Sequence, residues 1–416
     1  MRSICTLAVI AVAALAAPGV AGADVVTDWN RTMVDALEVG PTPPPTAARV
    51  AAIVQASVFD AVNGIRPHYA PYHVAPAAPR GASRAAAGAG AAHEALVVLF
   101  PAQQSTLDER LTASLAQIAA DGRDDAAAIA AGAAWGKTVA DQILAWRASD
   151  GFTAVLPPYV ARNVPGAWQP TPPLFGPPLF RQFASMTPFA LASPGQFLPG
   201  PPPALTSRRY ARDFDEVKTL GTATSAQRTP YDTQTAVFWQ SDSPAAMWNR
   251  VADALADEQH PRLVDNARLL ALMNVALADT TIAIWNAKNV YDTWRPITAI
   301  TQAATDGNPR TAPDPAWTPL LPTPAFQEYP AGHPGVSNAA ASVLASAYGD
   351  CTSFTVTSAT QPGVERAFTS FSDAVAQVQD ARVLGGIHFR LAVTTAARMG
   401  ADVARYVERA VMQPAD

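Results

Sequence analysis

Two tracts, residues 84–99 and 104–148, are dominated by alanine and other strong helix formers, with Pro101 and Gly122 as the expected breaks. Text of this kind commits a chain to helix. Alternating β-branched and aromatic runs are scarce, "SFTVTS" at 353–358 being the exception. Apolar residues at helical spacing recur in "TDWNRTMVDALEV" and "TAARVAAIVQASVFDAVNGI", which Gly-Pro-Thr-Pro-Pro-Pro separates, and in "ARDFDEVKTLG", 245–258, 263–287, 334–347, 363–382 and 388–410. The periodicity predicts a mostly α-helical protein with no repeat of fixed length.

Residues 151–207 break the pattern. They are dense in Pro-Pro pairs and carry Trp168, Phe175, Phe180, Phe183 and Phe189. So many aromatics predict an ordered, extended connector packed over the helices and walling a pocket, with gap-filling in the core as the alternative. The expected organisation is a signal peptide at 1–23, an N-terminal helical bundle at 24–150, this connector, and a C-terminal helical domain at 208–416. Arg2, the apolar stretch Leu7 to Ala17 and the small residues Ala21-Gly-Ala23 have the layout of a secretory signal, so the mature chain is expected to begin at Asp24 and to be secreted or periplasmic.

Cys5 falls in that signal, which leaves Cys351 with no expected intrachain partner. No second apolar run of roughly 20 residues predicts a membrane span. The formal net charge of −5 argues against nucleic acid as the main partner. Zinc H-E-x-x-H, phosphate-loop, dinucleotide-glycine and G-x-S-x-G motifs are absent.

Three segments carry cations or histidines beside turns. "NAKNVYDTWRPITAI" places Lys288 seven residues before Arg295, on one face if the helix continues through both. "EYPAGHPGVSNAAASVL" sets His333 at or near a helix N-cap with Pro334 in the first helical position, while Gly332 permits close backbone approach. Free amides and the positive end of the helix dipole meet there, as at sites that hold oxyanions. "DARVLGGIHFRLA" brings Arg382 and His388 to either side of Gly385-Gly386, with a new helix expected near His388. Converging donors of this kind suit a charged oxyanion. His68, His73, His93 and His260 read as packing, surface or helix-boundary residues.

These segments resemble the three-part signature K-x6-RP … PSGH … SR-x3-G-x-H shared by vanadium-dependent haloperoxidases and type 2 phosphatidic acid phosphatases, here Lys288 to Pro296, Pro330 to His333, and Ala381-Arg382 to His388. "DWNRTMVDAL", "ASVFDAVNGIRPHYAPY" and the proline-rich stretch further resemble exported bacterial haloperoxidase-like proteins. The resemblance implies an all-α fold of two helical bundles. It implies His388 as the axial vanadium ligand, or as the nucleophile of a phosphatase, and His333 as the acid/base group opposite. Lys288, Arg295, Arg382 and the Gly332 amide would hold equatorial oxygens, with Lys288 polarising the peroxide.

Trp285 and Phe326 match aromatics beside the halide site in chloroperoxidase-type members. The implied cofactor is vanadate, with phosphate as a competitor. The implied partners are hydrogen peroxide, halide and a small organic acceptor, and a homodimer stays open. The implied reaction is halide oxidation to hypohalous acid; an exported acid phosphatase acting through a phosphohistidine and a degenerate oxyanion-binding relative are the alternatives. Three departures weigh on activity. Ala331 and Ala381 stand where the family has serine, and Ala392 where it often has an aspartate that orients the second histidine, a loss that weighs most against the phosphatase.

Overall fold

The computed structural model describes residues 24–40, 42–75 and 77–415, so the signal segment lies outside the described residues. Thirteen α-helices are described. The N-terminal group is α1 (Val25–Val39), α2 (Pro44–Ile65), α3 (Arg84–Leu99), α4 (Gln104–Ala120) and α5 (Ala126–Arg147). After the proline-rich segment come α6 (Arg208–Leu220), α7 (Pro230–Phe238), α8 (Pro244–Gln259), α9 (Leu263–Tyr291), α10 (Pro296–Thr301), α11 (Gly332–Tyr348), α12 (Phe371–Leu384) and α13 (Arg390–Ala410). The fold is all-α. Its one departure is a two-stranded antiparallel hairpin, β1 (Phe354–Thr357) on β2 (Glu365–Phe368), so the helix expected from residue 363 begins only at Phe371. Pairing with the β-branched run at 354–357 overrides the weak helical spacing there.

The two groups share one continuous hydrophobic core, in which α2 packs on α9 and both are buried along almost their whole length. α9 is long and apolar enough to cross a bilayer, yet 89% of that window is buried inside the protein. It is the central core helix. α11 and α13 cross so closely that a Cβ on Gly400 would lie 2.0 Å from the Gly335 carbonyl oxygen. That glycine sets the spacing between the two helices that flank the site.

The proline-rich segment is ordered by buried polar anchors. The Asp279 carboxylate, on α9, accepts the amides of Phe189, Ala190 and Leu191 at 2.6–2.9 Å. Arg147 donates to the carbonyls of Thr187 (2.6 Å) and Pro188 (3.1 Å), and Asp150 pairs with both Arg147 (2.9 Å) and Arg49 (2.8 Å). Extended backbone without a sheet must satisfy its donors this way. Cys351 is not a free thiol, contrary to the sequence expectation; Cys5 lies outside the described residues.

Asp253, on α8, is buried with Oδ1 accepting from Asn30 Nδ2 (2.8 Å) and Oδ2 unpartnered. Burial raises its pKa to about 8. Because the folded state holds this proton more tightly than the unfolded chain, the stability it confers is complete below about pH 4 and is lost as pH rises toward 8. Asp253→Asn is therefore expected to raise the melting temperature, by a gain that grows from pH 4 to 8 at about 1.4 kcal/mol per pH unit at most. A pH-independent difference in thermal scans would refute this.

Candidate active site

α9 carries Trp285 and Lys288 one turn apart near its C-terminus. Lys288 is fully buried, and its Nζ donates to the carbonyls of Gln327 (2.6 Å) and Glu328 (3.1 Å). The helix then stops, because Asp292 takes a left-handed conformation (φ 47°) and the proline at 296 disfavours helix at Arg295. Lys288 and Arg295 therefore do not share a helix face. Arg295 instead caps α10 and reaches the site from the loop: Nε donates to the Phe326 carbonyl (2.7 Å), and Nη1 donates to the Ile387 carbonyl (2.8 Å) and faces His388 Nε2 at 3.1 Å. Its Nη2 has no partner.

The turn at 292 is clamped from outside. Tyr159 Oη (2.7 Å), Arg162 Nε (3.0 Å) and Gln327 Nε2 (3.3 Å) all donate to the Asp292 carboxylate. The proline-rich segment thus holds the loop between the two cations.

α11 begins one to two residues earlier than its sequence predicts. Ala331 is the N-cap without a side-chain cap, Gly332 opens the helix, and His333 and Pro334 complete the first turn, where amides have no intrahelical acceptor. A Cβ on Gly332 would meet only the Trp285 ring, at 3.9 Å. The glycine leaves room rather than relieving a clash. Arg382 sits in the last turn of α12, where a cation complements the helix dipole, and its Nε and Nη1 are buried without partners.

The chain then turns at Gly385-Gly386. Gly386 has φ 75°, and a Cβ there would lie 2.3 Å from the Gly221 carbonyl oxygen. This delivers His388 just before α13. Glu328 Oε1 accepts the Phe389 amide (3.0 Å) and faces His388 Nδ1 at 3.0 Å. Since that oxygen already acts as acceptor and Arg295 Nη1 donates to Nε2, the imidazole carries its proton on Nδ1, and its Nε2 lone pair is held by the Arg295 guanidinium. Asp213, from α6, accepts the Leu391 amide at 3.0 Å and caps α13 across the fold.

Gly332, His333, Arg382, His388, Trp285 and Phe326 line one open cleft of about 70 Å³. Lys288 and Arg295 stand directly behind this lining, Lys288 Nζ at 5.1 Å from the Phe326 ring centre and the Arg295 guanidinium at 4.7 Å from it. Trp285 and Phe326 pack together with centroids 5.3 Å apart. Three buried cations face a single nearby carboxylate. Burial pushes Arg295 and Arg382 down to about 9 and Lys288 well below its usual value, while burial raises Glu328 to about 7. Burial and then the neighbouring guanidinium groups lower both His388 and His333, so both are neutral at pH 7. Burial is the first cause of every shift, and the neighbouring cations deepen the drop in the histidines and Lys288 while opposing the rise in Glu328.

The residues fit an oxyanion. Unpartnered N–H groups remain on Arg295 and Arg382, the first turn of α11 is open, and His388 Nε2 is an acceptor that a ligand would take over from Arg295 Nη1. A bare metal ion would need more anionic donors, and no cluster of three His, Cys, Asp or Glu exists among the described residues. All eight sequence-derived site residues converge here.

Sequence reading did not assign Glu328, which takes over the orienting role left empty by Ala392; its placement two residues before the Pro330 motif was the available signal. Asp213 carried none, whereas Phe180 is one of the connector aromatics expected to wall a pocket and does line this cleft. His93 pairs with Asp108 (2.7 Å), His73 stacks on Trp146 (4.2 Å) and His260 ends α8, so these three lie outside the site. Ala331 and Ala381 are fully buried, and the Ala331 amide donates to the Ala392 carbonyl at 3.2 Å.

Fold and cleft together describe a helical protein whose cleft gathers histidines and buried cations, donors of the kind that suit an oxyanion. Residues 268–416 match the family model described as the VCPO second helical-bundle domain, which supports kinship with the superfamily of vanadium-dependent haloperoxidases and type 2 phosphatidic acid phosphatases. It is similar to the vanadium chloroperoxidase of Curvularia inaequalis, 26% identical over a stretch that covers 33% of this chain and 27% of that protein, so it spans about a quarter of that relative's length. Among solved structures it is similar to the first bacterial vanadium-dependent iodoperoxidase, with TM-score 0.81, 26% identity and coverage of 94% of this chain and 97% of that one. It shares its fold with a holo-type bacterial vanadium-dependent chloroperoxidase, with TM-score 0.71, 19% identity and coverage of 89% and 93%.

Proposed function

We propose that this protein is a vanadate-dependent haloperoxidase that oxidises halide with hydrogen peroxide to hypohalous acid, X⁻ + H2O2 + H⁺ giving HOX + H2O. The observation that carries this reading is the set of buried, unpartnered guanidinium N–H groups on Arg295 and Arg382 in a site with a neutral His388 and an aromatic wall. Vanadate, held by His388 Nε2 with Lys288, Arg295, Arg382 and the Gly332 amide around it, supplies a Lewis acid that activates peroxide without changing oxidation state. Similarity to a bacterial vanadium-dependent iodoperoxidase and to the Curvularia inaequalis vanadium chloroperoxidase supports the choice.

The chain's own residues do the rest. Glu328 holds the Nδ1 proton and so leaves Nε2 the unprotonated nitrogen, which would exchange the Arg295 N–H for the ligand. The three cations neutralise the oxyanion where water is excluded, which makes each contact count for more than in solvent. His333, neutral at pH 7 and half-buried in the cleft, accepts the proton of the incoming peroxide. Trp285 and Phe326 give the halide an apolar surface that displaces water from it.

A phosphatase is the second reading, favoured by the Glu328–His388 pair: a carboxylate on Nδ1–H is what a nucleophilic imidazole requires. The alanine at 392 therefore does not weigh against it, and phosphate shares the geometry of five-coordinate vanadate. Export through residues 1–23 remains part of the proposal. The deciding experiment is bromination of a reporter by the purified protein with peroxide and bromide, with and without orthovanadate. Vanadate-dependent turnover is expected. Phosphomonoester hydrolysis inhibited by vanadate, with no bromination while vanadate is bound, would transfer the assignment to the phosphatase.

A further inference from the structure

Charge is unevenly spread along this chain. Residues 151–212 hold five arginines (Arg162, Arg181, Arg208, Arg209 and Arg212) and no lysine, aspartate or glutamate, whereas 34 acids over 416 residues would place about five in a stretch of that length. The same stretch carries seven of the twelve large hydrophobic side chains exposed among the described residues, led by Val155 (97%), Leu174 (89%), Val160 (82%) and Phe175 (62%). Scattered apolar residues on a surface are ordinary, but a concentration of them marks a place of contact.

Tertiary ties hold the pieces side by side. Arg181 Nη1 donates to the Pro157 carbonyl (2.6 Å) and its guanidinium lies 5.6 Å from the Tyr159 ring centre, which joins 171–181 to 155–164. A Cβ on Gly166 would meet Leu205 at 3.2 Å, so the start of α6, with Arg208 and Arg209 exposed, adjoins the same face. The acids that pair with this face, Asp292 with Arg162 and Asp213 with Arg212, are both buried.

The loop "PPLFGPP" at 172–178 is its most apolar part. Four of these seven residues are prolines without an N–H, and the Phe175 amide is spent on the Thr171 carbonyl at 3.0 Å. A backbone with so few open donors leaves water at little cost, which matters most in hydrocarbon, where nothing replaces a lost hydrogen bond. Phe175 takes a left-handed conformation (φ 50°), costly for a bulky residue, and still presents its ring to solvent; a Cβ on Gly176 beside it would meet nothing within 4 Å. Strain that holds an aromatic ring in water gains nothing from the fold itself.

We infer that this face docks on the surface of an anionic lipid bilayer, with Leu174 and Phe175 entering the headgroup boundary and Arg208 and Arg209 meeting lipid phosphates. A second copy docked face to face would set arginine against arginine. A bilayer with anionic headgroups offers the apolar layer and the opposite charge together. Attachment of this kind is peripheral and reversible, and it does not depend on the haloperoxidase reading.

The test is cosedimentation of the whole protein with phosphatidylcholine vesicles, with and without phosphatidylglycerol. Binding to the vesicles that contain phosphatidylglycerol is expected, and it should weaken as salt rises. Leu174→Ser with Phe175→Ser is expected to lower it about tenfold or more, and Arg208→Gln with Arg209→Gln roughly tenfold at low salt. All four side chains are exposed, so the melting temperature of the Arg208 and Arg209 double variant should match that of the unsubstituted protein. Absence of binding by the unsubstituted protein overturns the inference. So does binding that the Leu174 and Phe175 double variant keeps in full, or binding indifferent to phosphatidylglycerol. A dimer in sedimentation velocity without lipid, lost in that same variant, would give the face to a second copy and overturn the lipid assignment.

Discussion

Arg382→Met is expected to make the unliganded protein more stable and at the same time to remove most of its affinity for vanadate or phosphate. The Arg382 guanidinium is buried among Lys288, Arg295 and two neutral histidines, with Nε and Nη1 unpartnered. Replacing a buried, uncompensated charge by an apolar side chain of similar length is often stabilising, by about 1–4 kcal/mol. The same N–H groups are the ones an oxyanion would engage. Two charge-assisted hydrogen bonds at about 1.5–3 kcal/mol each correspond to a loss of roughly two to four orders of magnitude in affinity.

Denaturation without ligand and calorimetric titration with orthovanadate measure the two halves separately. The opposite signs are the point. A variant that loses stability and keeps its affinity would mean that Arg382 is a structural cation and not part of the oxyanion site.

Glu328→Ala is expected to do the reverse to stability while also lowering affinity. Its carboxylate is the acceptor for both His388 Nδ1 and the Phe389 amide, and it lowers the electrostatic cost of Lys288 and Arg295. Each buried donor left unsatisfied costs about 1–3 kcal/mol, and the freed imidazole can turn or change tautomer. Loss of such an orienting partner typically lowers metal affinity about 10–100-fold. Glu328→Gln retains an acceptor oxygen and is expected to fall between.

Combining Glu328→Ala with Arg382→Met should recover part of the lost stability, since the double variant has one carboxylate and one cation fewer. Strictly additive stability changes in that cycle would show that the two groups do not sense each other across the pocket. They would also remove the charge-imbalance account of the site.

Much of the molecule was legible in one dimension because it depends on local preference. Alanine-rich tracts specify α3, α4 and α5, and apolar spacing specifies α9, α11 and α13 to within a few residues. The three signature segments were readable as text, since each pairs a charged or imidazole side chain with a turn. The places where reading failed depend on contacts distant in sequence. Lys288 and Arg295 looked like one helical face because nothing local announces the left-handed Asp292, which is held by Tyr159 and Arg162 from the connector.

Glu328 illustrates the remainder. The familiar position for an orienting acid is occupied by Ala392, and only the fold shows that a carboxylate 60 residues before His388 fills the role. The sequence by itself determined the helical class, the segments that bear cations and histidines, and the donor set for an oxyanion, because helix propensity, turn chemistry and residue type act over a few neighbouring residues. Tertiary structure alone decided which acid orients His388, which N–H groups stay unpartnered and how wide the apolar cleft stands above them, because burial and pairing are properties of groups brought together from distant parts of the chain.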